Sequence, residues 1–314
     1  MTQSPQHYVA VDWGTTSFRA YLVDVNGLVL DRVANTNGIL SVEHGMFATA
    51  LLQPLRPWLD RFGPLAVVMS GMIGSRQGWV EIPYVATPAT LGDILRAVRS
   101  IDVDGLASVH IAPGVMTRDQ AGLSDVMRGE ETQVFGAMAL TGFADAVFVL
   151  PGTHSKWVTV ENGAITRFQT YMTGEIYAVL SQHSILGRLM PAAAPASGAI
   201  SDGFRRGLDV IAKHGGGPGG LLNRLFSVRT NGLFADLPGE QLPDYLSGLL
   251  IGAEVVEGSV SDATVSIIAT PALAARYVMA CKAFGVPART VAEDCVVAGL
   301  AAIAVATRTT VATV

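Results

Sequence analysis

Apolar positions in this chain come mainly in short runs, each stopped by a glycine, a hydroxyl or a charge. Val9-Ala10-Val11 ends on Asp12, then Trp13-Gly14-Thr15-Thr16-Ser17-Phe18-Arg19 follows, and a second run over 20–25 leads to Asn26-Gly27. This order predicts a β-hairpin whose tip offers backbone N–H groups and hydroxyls. Residues 28–34 predict a third strand, stopped at Asn35-Thr36-Asn37-Gly38. Over 47–62 the spacing turns helical (Phe47, Leu51, Leu55, Leu59), with Pro54 and Pro57 inside. Residues 65–69 and 109–112 predict buried strands, with a helix around 91–99 between them. Ser124-Asp125 reads as the start of a helix over 126–139, capped by either residue. A further buried strand is predicted over 145–150.

The opening order then returns. A strand enters Pro151-Gly152-Thr153-His154-Ser155-Lys156, a run over 157–160 follows, and Asn162-Gly163 turns the chain. Gly174 stands as far beyond Gly163 as Gly38 stands beyond Gly27. The repeated order points to two similar halves, and the boundary is placed at 141/142, dividing 1–141 from 142–314. In the second half, helices are predicted over 176–190, 203–214, 245–256, 272–284 and 299–307, and a strand over 265–268. The Ala/Pro-rich stretch 191–201 reads as a surface loop and the glycine run 215–220 as a flexible break. Ser247, Gly248, Gly252 and Ala253 would let the 245–256 helix pack closely.

Composition narrows the class. The chain has 314 residues, 50% hydrophobic and 15% charged, enough for a large buried α/β core. A net charge of −5 argues against a nucleic-acid surface. Cys281 and Cys295 fit no usual metal spacing and read as reduced core thiols. No apolar stretch is long enough to cross a bilayer, and residues 1–7 do not resemble a signal peptide, so the cytoplasm is the expected location.

Candidate chemistry gathers on the loops. The two hairpin tips are strand-loop-strand, unlike a P-loop or a dinucleotide fingerprint. They suit phosphate, with Lys156 as a point charge and Asp12 facing the Mg²⁺ that would travel with it. Ordinary hairpins with glycine turns are the plain alternative. Asp125, at a helix start, could accept a proton from a substrate hydroxyl or could simply cap the helix. The glycine-rich segment from Ser70 and Gly71 through Arg76, Trp79 and Tyr84 reads as a substrate loop, because an Arg fork matches a carboxylate bidentately. Arg128 is a second candidate for that task. His154 has no second histidine near it and is a poor metal ligand.

Taken together, these strings resemble a known family. Val11-Asp12-Trp13-Gly14-Thr15-Thr16-Ser17 is similar to the first phosphate loop of the sugar kinase/heat-shock protein 70/actin superfamily. Ser70-Gly71-Met72-Ile73-Gly74-Ser75-Arg76-Gln77-Gly78-Trp79, Asp125-Val126-Met127-Arg128-Gly129-Glu130-Glu131-Thr132-Gln133 and Pro151-Gly152-Thr153-His154-Ser155-Lys156-Trp157 narrow the resemblance to the 2-dehydro-3-deoxygalactonokinase family. Tyr245 to Gly252 and Pro271 to Tyr277 extend it nearly end to end.

The resemblance implies an α/β fold with two ribonuclease-H-like (actin-like ATPase) domains flanking a nucleotide and substrate cleft. It implies ATP and Mg²⁺, and phosphorylation of the 6-hydroxyl of 2-dehydro-3-deoxy-D-galactonate. Asp12 then takes the metal, through water, and Gly14, Thr15, Thr16 and Ser17 the first phosphate loop. Gly152, Thr153 and Lys156 take the second loop, and Ala269 and Thr270 the adenosine loop. Pro151 stands where the superfamily usually has an aspartate, and Ala269 where it usually has a glycine. Related sugar kinases point to Asp125 as the base, whereas superfamily phosphatases with a Gly-Glu-Glu run point to Glu130. The expected partners are a small sugar acid and ATP, with neither nucleic acid nor membrane, and a homodimer stands open. Two rivals remain: a phosphohydrolase of the same fold acting on polyphosphate or a nucleotide, and a non-enzymatic actin-like assembly or sensor protein.

Overall fold

A computed structural model describes residues 6–43, 45–191, 199–214, 220–259 and 263–311. The central part of the 191–201 loop and most of the 215–220 glycine run lie outside them. The opening residues form the expected hairpin: β1 (His7–Trp13) pairs antiparallel with β2 (Phe18–Asp24), and β2 with β3 (Val29–Asn35). Helix α1 (Phe47–Phe62) runs through both prolines. It buries Phe47, Leu51, Leu55 and Trp58. Four such side chains, at roughly 1.5–3 kcal/mol each, outweigh about 3 kcal/mol for each interior proline.

Next come β4 (Ala66–Ser70), β5 (Val85–Ala86), β6 (Ala89–Thr90), α2 (Leu91–Ala97), β7 (Arg99–Ile101), β8 (Ser108–Ile111) and β9 (Val115–Arg118). The helix expected from Ser124 is corrected here. Ser124–Met127 is a strand, β10, paired antiparallel with β9, and the helix α3 (Glu130–Thr141) starts only after Gly129. Gly129 holds φ at +113°, which a side chain would strain, and that turn converts strand into helix.

The second series opens with β11 (Ala146–Leu150), β12 (Ser155–Glu161) and β13 (Ala164–Tyr171). The β12–β13 turn has Asn162 and Gly163 both at positive φ, as a two-residue Asn-Gly hairpin requires. Then follow α4 (Thr173–His183), α5 (Asp202–His214), α6 (Gly220–Leu225), α7 (Ser227–Leu233), α8 (Leu242–Gly258), β14 (Val265–Ile268), α9 (Pro271–Ala283), β15 (Ala288–Val291) and α10 (Cys295–Val311).

Five strands of each large sheet repeat one order, β3-β2-β1-β4-β8 matching β13-β12-β11-β14-β15, with β7 and β6 added at opposite edges. The first runs β3-β2-β1-β4-β8-β7 and the second β15-β14-β11-β12-β13-β6. Around the pairs β1–β4–β8 and β11–β14–β15 the strands are parallel. The repeat read from glycine positions is therefore a repeat of structure.

Packing divides the chain into Met1–Asp145 with Val160–Arg167 and Glu293–Val314, and Ala146–Thr159 with Phe168–Ala292. This differs from a single cut at 141/142 chiefly by returning α10 to the first unit. The cause is a glycine crossing. A Cβ at Gly136 of α3 would lie 1.9 Å from the Cys295 carbonyl oxygen, and one at Gly299 of α10 would lie 2.1 Å from that of Thr132. Cys295 is buried there, donating its thiol to the Gln133 carbonyl. In the second unit the expected small-residue face of α8 is real: a Cβ at Gly248 would lie 2.3 Å from the Phe204 carbonyl of α5.

Candidate active site

In the first unit, β1 and β4 run parallel with Asp12 opposite Ser70. Parallel strands deliver their C-terminal ends to one edge, where loops carry function. Asp12 is buried, and Arg19 Nη2 donates to its Oδ2 at 2.6 Å. Burial pushes the Asp12 carboxyl above the ordinary carboxylate range, the Arg19 charge pulls it back, and the charge of Glu130 adds to the push. Two glycines pack closely beside it. A Cβ at Gly71 would lie 3.3 Å from Asp12 Oδ1, and one at Gly129 would lie 3.1 Å from Gly71 Cα.

The loop after β1 is closed by Gly14 N–H to the Ser17 carbonyl at 2.9 Å, and Thr15 and Thr16 are exposed. Gly38 seats on it: a Cβ there would lie 2.3 Å from both the Thr15 oxygen and the Thr16 nitrogen. The second unit repeats this contact. A Cβ at Gly174 would lie 2.3 Å from the Gly152 oxygen and 2.8 Å from Thr153 Cα. Gly152 and Thr153 are exposed, and the Glu175 N–H donates to the Thr153 carbonyl at 3.0 Å.

The carboxylates sort themselves by element. Glu130 is the first residue of α3, its Oε2 accepts the Arg128 N–H at 2.9 Å, and its charge reaches Asp12. Asp125 lies on β10 opposite Thr117 and is not among the charges that shift Asp12. Glu131 is fully buried, accepts from the Gly129 N–H at 2.7 Å and from Thr132 Oγ1 at 3.1 Å, and is pushed up to about 8 by burial and then by Glu130. In the sequence Glu131 carries no signal beyond its place in the Gly-Glu-Glu run.

Of the two arginines, Arg76 is exposed in the turn after Ser75, whereas Arg128 is buried. Arg128 Nη2 donates to the Ile82 carbonyl at 2.7 Å and its guanidinium lies 4.2 Å from the centre of the Tyr84 ring. Its Nε and Nη1 are buried without a partner, as are the Ser70 and Ser75 hydroxyls nearby in the same loop. Trp79 turns inward, stacked on Phe47 at 6.2 Å against the core.

Lys156 lies within β12, the strand that leaves the second loop. Strand alternation sends Ser155 and Trp157 to one face of β12 and Lys156 to the other. The Lys156 ammonium is buried and donates to Thr170 Oγ1 at 2.7 Å.

Beside the second loop is a cavity of about 450 Å³, walled by Gly152, Thr153, Tyr177, Asp244, Arg276 and Tyr277 among others. Arg276 Nη2 meets Asp244 Oδ1 at 2.6 Å in its wall. Ala269 instead lines a different cavity, of about 420 Å³, on another side of α9, and Thr270 is the exposed residue just before that helix. The helix face with Leu273, Arg276 and Tyr277 is thus what approaches the second loop.

Comparison with known proteins agrees with this architecture. The family model for 2-keto-3-deoxy-galactonokinase matches residues 12–303. A 2-dehydro-3-deoxygalactonokinase of Escherichia coli (strain K12) is 35% identical over 290 residues, covering 91% of this chain and 93% of the relative. A crystal structure from Sinorhizobium meliloti, assigned as a 2-dehydro-3-deoxygalactonokinase protein, superposes with a TM-score of 0.85 at 35% identity, covering 96% of this chain and 99% of that one. The activator of 2-hydroxyisocaproyl-CoA dehydratase from Clostridium difficile, solved with bound ADPNP, shares the fold at a TM-score of 0.50 and 11% identity, covering 98% of both chains.

Proposed function

The chain belongs to the 2-keto-3-deoxy-galactonokinase family, and we propose that it transfers the γ-phosphoryl group of ATP to the 6-hydroxyl of 2-dehydro-3-deoxy-D-galactonate, in galactonate catabolism. The observation that carries this reading is the pair of glycine-seated loops, Gly38 on Thr15–Thr16 and Gly174 on Gly152–Thr153. Each offers exposed backbone and hydroxyls, a cradle for phosphate oxygens.

The first unit supplies the acceptor chemistry. Glu130 takes the proton as the substrate hydroxyl oxygen bonds to the γ-phosphorus, the bond from that phosphorus to the bridging oxygen breaks, and ADP leaves. Glu130 is preferred to Asp125 because it opens α3 and its charge reaches Asp12. Arg128 receives the sugar-acid carboxylate, since a bound acceptor would complete the two buried N–H groups it leaves unpaired. Tyr84, Ser70 and Gly71 lie around the same loop. Arg76, exposed beside it, is the weaker candidate, and Trp79 serves the core.

The second unit takes the nucleoside. A cavity of about 450 Å³ beside Gly152 and Thr153 is within the usual size for a ligand pocket. Its Asp244–Arg276 pair and Tyr277 offer the polar groups, in place of Ala269 and Thr270. Lys156 supports the β12–β13 strands through Thr170 rather than reaching for phosphate.

The residues suit Mg²⁺. Asp12 is a buried carboxylate at the end of β1, and the glycines at 71 and 129 bring backbone rather than side chains up to it. That matches an ion that keeps waters and binds through one or two carboxylates plus substrate phosphates. When bound it would neutralise charge on the phosphate chain, with Asp12 holding it through water. No helix among the described residues is long and apolar enough to cross a membrane.

The test is ADP release measured with purified protein against 2-keto-3-deoxy sugar acids, neutral sugars and water alone. Sugar-acid-dependent turnover, with a phosphomonoester at C6 by phosphorus NMR, is the expected result. ATP hydrolysis indifferent to any sugar acid would overturn the reading.

A further inference from the structure

One carboxylate of the second unit stands apart from every group used so far. Glu254 lies in the middle of the apolar helix α8, 2% exposed. Four neutral donors close on it. Ser155 Oγ at 2.6 Å and Trp157 Nε1 at 2.8 Å donate to Oε1. Tyr277 Oη at 2.7 Å and Thr173 Oγ1 donate to Oε2. None of these partners is a cation, and burial pushes the carboxyl up while the four hydrogen bonds pull it down. A buried carboxylate is costly unless its hydrogen bonds are complete, and here they are.

The donors sit at chosen places. Ser155 is the first residue of β12, directly after the Gly152–His154 loop. Thr173 directly precedes Gly174, the residue that seats on Gly152 and Thr153. Tyr277 is on α9, in the wall of the 450 Å³ cavity. One carboxyl group on α8 thus ties together the C-terminal flank of the second loop, the start of α4 that carries its glycine seat, and α9. The first unit secures its own loop differently: Trp13 Nε1 donates to the Asn37 carbonyl at 2.9 Å, just before Gly38.

We propose that Glu254 is a positioning residue for the nucleotide: from within α8 it fixes the second glycine loop in the shape that receives the polyphosphate of ATP. The inference rests on the assignment of that loop to ATP, and the test separates the two. Glu254 does not line the cavity, and neither does Ser155. A change at either therefore acts on ATP through the residues it holds: the second loop for Ser155, and for Glu254 also Thr173 and Tyr277 of the cavity wall.

The experiment measures KM for ATP, KM for the sugar acid, kcat and the melting temperature of the full chain. Glu254→Ala leaves four donors without their acceptor and should raise KM for ATP by about tenfold or more, with kcat and the sugar-acid KM little changed. Glu254→Gln should restore most of the affinity. Its oxygen can accept from Ser155 and Trp157, and its NH₂ can donate to the Thr173 and Tyr277 hydroxyl oxygens. Ser155→Ala removes one anchor only and keeps the test decisive if Glu254→Ala does not fold; it should raise KM for ATP by several-fold. Gly174→Ala is the control for the loop itself. If it disturbs ATP use while folded Glu254→Ala and Ser155→Ala do not, the positioning role is wrong and the loop assignment stands. If Gly174→Ala also leaves KM for ATP unchanged, the loop assignment fails. Equal losses for ATP and sugar acid in Glu254→Ala, without rescue by Gln, would mark Glu254 as a general structural residue and overturn the proposal.

Discussion

Arg19 holds Asp12 through a 2.6 Å contact between Nη2 and Oδ2, with Glu293 a looser partner at 3.9 Å from Nη1. The carboxylate proposed to face Mg²⁺ is therefore held in place by Arg19. Asp12→Asn removes the charge and keeps the shape. It should weaken Mg²⁺ activation by about tenfold to a hundredfold, the usual range for a group acting on a metal through its outer shell, and leave the fold intact. Mg²⁺ titrations of initial rate, with circular dichroism as the folding control, check this. Unchanged Mg²⁺ dependence would remove Asp12 from the site.

The choice of base is a comparison of two single mutants. Glu130 opens α3 and its charge acts on Asp12, while Asp125 is on β10, opposite Thr117 of β9. Glu130→Gln should lower kcat by about 10²–10⁴-fold, the usual share of general base catalysis, with ATP-analogue affinity unchanged. Asp125→Asn should stay within a factor of about two, as for an ordinary surface change. The reverse ranking would return the role to Asp125.

Much of this was readable from the chain because its signals are local. The strands β1 to β4, the Asn-Gly turns and the glycines that follow them depend on a few adjacent residues. The repeat of Gly38 and Gly174 exposed the duplicated sheet before any coordinates. Ser124-Asp125 failed because a hydroxyl and a carboxylate before apolar residues look alike at a helix cap and in a hairpin strand. What decides is Gly129, whose positive φ moves the helix start to Glu130.

Residue roles were less legible than elements, since they depend on facing and on distant partners. Lys156 reads as a phosphate ligand by its nearness to Gly152, and in the fold its ammonium donates to Thr170 Oγ1, a partner that no sequence signal names. Glu254 carried one available signal, a lone carboxylate inside an apolar helical run. Its four donors come from residues 155, 157, 173 and 277, and no spacing rule joins those. The Asp244–Arg276 pair was invisible for the same reason.

Arg128 and Arg76 make opposite predictions for substrate charge. A charge-assisted hydrogen bond contributes about 1.5–3 kcal/mol, so Arg128→Ala should reduce kcat/KM for the sugar acid by about ten- to a hundredfold. Arg128→Lys should recover part, because the charge returns without the fork. Arg76→Ala, at an exposed turn, should change it little. ATP-analogue binding should be normal in all three. If Arg76→Ala is the damaging change, the carboxylate is held at the turn; if neither matters, other groups hold it.

Glu131 gives a stability prediction whose sign follows from its burial. The folded carboxyl titrates at about 8 against a reference of 4.5 in the unfolded chain. Below 4.5 the group is protonated in both states and costs nothing. Between 4.5 and about 8 the unfolded chain ionises while the folded protein keeps its proton. The folded state then binds more protons, so stability falls as pH rises, by at most about 1.4 kcal/mol per pH unit from this group. Above about 8 both states are ionised and the slope ends. Glu131→Gln supplies a neutral group of the same shape, whose oxygen can still accept the Gly129 N–H. Its stability should lack this slope, so its advantage over the parent protein should be near its smallest at about pH 5 and grow toward pH 8. Urea unfolding of both proteins across that range reads the difference directly. Parallel curves would mean that Glu131 is ionised in the fold, and that the Gly129 and Thr132 hydrogen bonds outweigh its burial.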